Sequence, residues 1–127
     1  MSNKNIIKNS NKKVELGRMG EEIASWFLEE KGYLIIKRNY MIGHSDIDIL
    51  ARDKEFLVFV EVRTKSKNDR GMPEDTLTKK KLRRMKNTAE LYIAFNHYEG
   101  LARMDAVCII LDNFGNVKHL EHYESVG

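Results

Sequence analysis

The chain has 127 residues, 42% of them hydrophobic, a single cysteine and a formal net charge of +3. That length holds one domain with one core and little more. One cysteine excludes an intramolecular disulfide and suits a reducing, cytoplasmic setting, and no apolar run approaches the roughly 20 residues needed to cross a bilayer, so no membrane partner is expected.

In chain order, residues 1–12 are polar and rich in Asn and Lys, without the apolar stretch of a secretory signal. They are expected as a flexible basic tail before a single domain over residues 13–127. Leu16, Met19, Ile23, Ala24, Phe27 and Leu28 recur at helical spacing, which predicts a helix from about Lys13 to Lys31, closed by Gly32. Three strands follow, Tyr33 to Tyr40, Asp46 to Ala51 and Glu55 to Thr64, with turns at Gly43 and at Asp53-Lys54. The third is apolar on both faces, as a central strand covered on both sides would be. After a polar loop containing Pro73, Thr78 caps a second helix from about Lys79 to Asn96, with Leu82, Met85, Ala89, Tyr92 and Ile93 on its buried side. Arg103 to Leu111 and Val117 to Tyr123 are two further strands around the loop Asn113-Phe114-Gly115-Asn116. The predicted fold class is α/β, one mixed sheet with flanking helices in the order α-β-β-β-α-β-β. Cys108 lies in the apolar run of the fourth strand and reads as a buried core residue.

Charge is unevenly spread. Arg63 to Lys86 carries ten Lys/Arg against three acids, and residues 1–19 carry five against one, so the remainder is strongly acidic. Such asymmetry points to a basic surface that meets an acidic polymer; a solvated helix face is the plainer alternative. Lys79, Lys80, Lys81, Arg83, Arg84 and Lys86 form the candidate nucleic-acid-binding cluster at the start of the second helix.

The residues that stand out are acids inside strands. Strict alternation puts Asp46 and Asp48 on one face of the second strand and Ile47 and Ile49 on the other; on the third strand Glu61, Arg63 and Lys65 share a face. Glu61 follows an apolar run, where a carboxylate is costly unless it is paired or binds metal. Asp48 and Glu61 on adjacent antiparallel strands, with a backbone carbonyl and waters, make an oxygen site suited to Mg²⁺ or Mn²⁺. The alternative is a structural ion pair of Glu61 or Asp48 with Arg52, Arg63 or Arg103. His44, His97, His119 and His122 have no cysteine partner nearby, and a zinc site is not expected from them.

Gly17-Arg18-Met19-Gly20-Glu21, Gly32-Tyr33, Asn39-Tyr40, Asp46-Ile47-Asp48-Ile49, Val58 to Arg63, Leu77-Thr78 with Lys81, and Arg103 to Val107 occur in that order. Together they resemble the YraN family of bacterial proteins over about Val14 to Leu111. The resemblance implies a restriction-endonuclease-like fold, similar to archaeal Holliday-junction resolvases. Such folds use an Asp, then Glu-x-Lys on the next strand, often with a Glu on the first helix. By position these are Asp48, Glu61 and Glu21, with Asp46 where the family usually has Glu. The lysine position holds Arg63, which stays protonated and can hold a phosphate but cannot act as a base; Lys65 is two residues further along the same face. Leu82 stands where the family often has Gln.

The function expected is nucleic-acid binding with metal-dependent endonucleolytic cleavage of phosphodiester bonds. Asp48 and Glu61 would bind the metal, Glu21 would assist, and Arg63 or Lys65 would contact the phosphate. The alternatives are a catalytically inactive binding module of the same fold, favoured by Arg63, and a scaffold in DNA processing. The expected partners are DNA ahead of RNA, and a second copy of the chain as the candidate homodimer.

Overall fold

The structure, a computed structural model, describes the backbone of residues 2–127 and the side chains from residue 11 onward. The tail expected over residues 1–12 thus falls, save its last two residues, outside the described side chains. Helix α1 (Ser2–Glu30) buries Gly20, Ala24 and Leu28 at successive four-residue steps, with Leu16, Met19, Ile23 and Phe27 beside them. At Gly20 the helix comes close against Thr64 of the sheet: a Cβ there would fall on the Thr64 hydroxyl.

Five strands follow in one mixed sheet whose spatial order is their chain order: β1 (Leu34–Ile42), β2 (Ser45–Asp53), β3 (Phe56–Ser66), β4 (Leu101–Leu111) and β5 (Val117–Tyr123). Neighbours are antiparallel except β3 and β4, which run parallel. A parallel pair needs a crossover. This one carries a short 3₁₀ turn at Pro73–Thr76 and helix α2 (Lys79–Phe95), whose N-cap Thr78 accepts the Lys81 backbone N–H at 3.1 Å. The arrangement α-β-β-β-α-β-β is the one expected from the sequence.

The central strand β3 is buried from Leu57 to Val62 because the helices cover opposite faces of the sheet. Under α1 lie Ile49, Ala51, Val58, Val60, Val62, Val107, Ile109 and Leu111. Under α2 lie Ile47, Leu50, Leu57 and Phe59, packed against Ala89, Tyr92 and Ile93. Cys108 on β4 is fully buried, and burial pushes its thiol up to about 12.

One strand departs from strict alternation, and the departure lies beside a cleft. Ile49 packs under α1 whereas Ile47 packs under α2, so the two do not share a face as the sequence pattern suggested. The β2–β3 ladder runs from Asp53↔Phe56 only to Ile49↔Val60. Beyond that point β2 continues beside β1 to Ile42↔Ser45, while β3 continues beside β4 to Ser66↔Leu111. The sheet forks between β2 and β3, and a ladder that ends leaves backbone groups that need other partners.

Candidate active site in the sheet fork

Asp48 stands at the split. Its Oδ2 accepts the Val62 backbone N–H at 2.8 Å, so the side chain replaces the missing strand partner. Glu61 is one residue earlier on β3 and 6% exposed. Its Oε2 accepts from Arg63 at 3.2 Å, and the Lys81 ammonium of α2 stands 3.3 Å away. Arg63 is held in turn by Thr76, whose Oγ1 accepts from its Nε at 2.7 Å. Around these groups lies a cleft of about 660 Å³, walled by Lys13, Leu16, Gly17 and Glu21 of α1 and by the Lys65–Arg70 segment.

The fork concentrates negative charge where water is scarce. Burial, then the charge of Glu61, pushes the Asp48 carboxyl up to about 8 against the pull of the Val62 N–H; Glu21 and Asp46 add to the rise. Glu21 is also raised, first by burial, against the pull of Arg38 and Asn39 on β1. Its Oε1 is buried without a hydrogen-bond partner among the described residues. Hard oxygen donors, mutual repulsion and an unpartnered oxygen fit a divalent cation. No group of three or more His, Cys, Asp and Glu stands close enough among the described residues to hold a metal ion. Such an ion would therefore rest on Asp48 and Glu61, with water or ligand completing its shell.

The structure brings Asp48, Glu61, Glu21, Arg63 and Lys65 to one cleft, together with Asp46. Lys65 lines it while its Nζ donates to the Arg70 carbonyl at 2.8 Å. Of the basic cluster on α2, Lys79, Lys80, Arg83, Arg84 and Lys86 are exposed. Lys81 of that cluster is half-buried, and its ammonium turns in to Glu61.

A scan against family models matches residues 20–109 to one described as uncharacterised protein family UPF0102. The chain belongs to the UPF0102 family. A UPF0102 protein of Carboxydothermus hydrogenoformans is 41% identical over 113 residues, covering 88% of this chain and 94% of the relative. One of Pelotomaculum thermopropionicum is 37% identical over 111 residues, 87% of this chain and 92% of the relative. One of Renibacterium salmoninarum is 37% identical over 117 residues, 91% and 98% respectively. This is the YraN family that the motifs resembled.

This UPF0102 chain holds a second cluster, joining β4 to β5, that strand-by-strand reading missed. Asp105 of β4 is fully buried and accepts from Arg103 Nε at 2.9 Å. His122 of β5 lies 2.8 Å from its other oxygen. Burial works to raise Asp105, but the bonds from His122 and Arg103 outweigh it and hold the carboxyl low. Arg103 also donates to Tyr33 Oη at 2.6 Å and to Asp53 at 3.2 Å. The Lys31 ammonium lies 2.8 Å from His122 Nδ1. An ammonium only donates, so Nδ1 is the accepting nitrogen and Nε2 carries the hydrogen toward Asp105. A signal was available: Asp105 is an acid beside the apolar run that follows it, the same irregularity that singled out Glu61. His119 instead lies 3.5 Å from Glu74.

Proposed function

We propose that this UPF0102 chain is a metal-dependent nuclease whose active site is the fork between β2 and β3, with DNA ahead of RNA as its substrate. The observation that supports this best is the opposition of half-buried Asp48 to buried Glu61. The fold holds two carboxylates side by side at a strand separation, where their repulsion works against stability. Arrangements of that kind are characteristic of sites built for something other than stability.

Mg²⁺ or Mn²⁺ on Asp48 and Glu61 would supply Lewis-acid stabilisation of the charge that develops on a phosphodiester. The chain's own residues do the rest. Lys81 and Arg63 converge on Glu61 from two elements and face the cleft, where they hold phosphate oxygens. Lys81 thus brings an ammonium to the carboxylate whose expected strand lysine is Arg63. Glu21, with one oxygen free, orients a water at the α1 wall. Lys79, Lys80, Arg83, Arg84 and Lys86 bind flanking phosphates on the outer face of α2, a contribution that depends on salt. A DNA substrate and a lone reduced thiol agree with a cytoplasmic setting.

One observation favours the second reading, an inactive nucleic-acid-binding module. Glu61 is already neutralised by two cations, so part of the negative charge is satisfied without metal. A single experiment separates the two: cleavage of linear and branched DNA, and of RNA, with Mg²⁺ or Mn²⁺, beside isothermal titration of each metal, for wild type and Asp48→Ala. Cleavage and metal binding that both vanish in Asp48→Ala support the nuclease. Salt-dependent binding with neither metal uptake nor cleavage supports the module, and no binding at low salt overturns both. Sedimentation of the same samples tests the homodimer.

A further inference from the structure

We propose that Phe114, at the tip of the β4–β5 hairpin, is a stacking platform for an unpaired base of a nucleic-acid strand whose backbone lies in the fork cleft. The inference rests on the nucleic-acid reading above and extends it to a substrate class, strands with unpaired bases.

Phe114 is 89% exposed, the most exposed of the large hydrophobic side chains among the described residues. Isolated exposed apolar residues are common; what sets this one apart is how firmly its loop is built. Asp112 Oδ1 accepts the backbone N–H groups of Phe114 and Asn116, both at 2.9 Å. Its Oδ2 accepts from the Asn116 amide at 3.2 Å. Asp112 N–H donates to the Asn116 carbonyl at 2.9 Å, and Gly115 takes the left-handed φ of +81° that closes the turn. A loop tied in this way presents its ring at little cost in side-chain and backbone ordering when a partner arrives.

The tip is also tied to a segment that goes on to line the cleft. Asn113 Oδ1 accepts from the Asn68 amide at 2.8 Å, and the Lys67 N–H donates to the Leu111 carbonyl at 2.8 Å. These bonds fasten the hairpin to the segment whose Asp69 and Arg70 line the cleft. On the opposite side Gly115 abuts Met19 of α1, close to the cleft-lining Leu16 and Gly17. At Gly17 a Cβ would meet nothing within 4 Å, so that stretch of wall is open to a strand passing between the carboxylates and the tip. Cations along a backbone path with an aromatic face at its end are the elements of single-strand recognition: the charges track phosphates, and a ring stacks on any base because every base has a π-face. A fully paired duplex offers no free face to the ring.

The test uses the full chain. Phe114→Ala should leave the melting temperature unchanged, because the ring is in solvent. It should weaken binding of oligo(dT) and of a forked duplex with single-stranded arms about tenfold, the usual effect of losing one base–aromatic stack. Affinity for a blunt duplex of equal length should not change. A second variant reads stacking directly: Trp26 is the sole tryptophan, so Trp26→Phe with Phe114→Trp puts one fluorophore at the tip. Its emission should be quenched by oligo(dT) and not by the blunt duplex. Equal losses on both substrates for Phe114→Ala, no loss on either, or an unquenched tryptophan would overturn the proposal while leaving the nuclease reading intact. A wild type that binds no nucleic acid overturns both.

Discussion

Replacing Asp48 by Asn should make the metal-free protein more stable near neutral pH, although Asp48 is the residue on which the proposed chemistry most depends. The Asp48 carboxyl is pushed from an ordinary 3.8 up to about 8, so over that interval the folded state holds a proton that the unfolded chain has released. The contribution of Asp48 to stability is then greatest below pH 4, falls as pH rises, and levels off above about 8. Each unit of displacement corresponds to about 1.4 kcal/mol, so at pH 7 the part of the displacement that lies below that pH bounds the penalty at roughly 4 kcal/mol. Water entering the cleft reduces this, and a gain of about 1–3 kcal/mol is expected for Asp48→Asn. The amide oxygen can still accept the Val62 N–H, so the strand end stays capped. The assay is urea unfolding of both proteins in EDTA at pH 5 and pH 8. The difference between variant and wild type should grow with pH, and Mn²⁺ should stabilise only the wild type. A variant less stable than wild type at pH 8, or a difference that ignores pH, would refute the argument that Asp48 is strained.

Asp105→Ala should destabilise the protein by about 3–5 kcal/mol in the same unfolding assay, because it leaves Arg103 and His122 without their buried partner. Gly20→Ala should cost about 1–3 kcal/mol and lower the melting temperature, since the added methyl displaces Thr64; Gly20→Ala with Thr64→Ala should recover part of the loss. Replacing Lys80, Arg83 and Arg84 by Ala should leave the fold intact by circular dichroism. It should also flatten the logarithmic salt dependence of duplex binding by about 0.9 for each phosphate contact removed.

The order of elements was legible because helix and strand periodicities are local, and Thr78 and the loop between β4 and β5 sit where their chemistry predicts. Asp48 and Glu61 were legible as acids in strands. The fork was not. Alternation assumes a continuous ladder, and nothing in Asp46 to Leu50 announces that β2 and β3 part company at Ile49. The basic cluster was legible, but not that Lys81 turns in to Glu61, because helical spacing gives a residue's side of the helix and not what the first turn overhangs. The Arg103–Asp105–His122 network joins β4, β5 and the end of α1. Its members are up to 91 residues apart, a separation that no window along one sequence can span.

Cys108 gives this protein an internal clock. Its sulfur is fully enclosed in the middle of β4, and its raised thiol keeps little reactive thiolate at neutral pH. An alkylating reagent therefore acquires a target only during excursions that part β4 from its cover. With one thiol per chain, the pace of modification counts such openings without interference from any second sulfhydryl. Run with and without Mn²⁺ or DNA, that pace would register how far events in the fork are felt two strands away from β2.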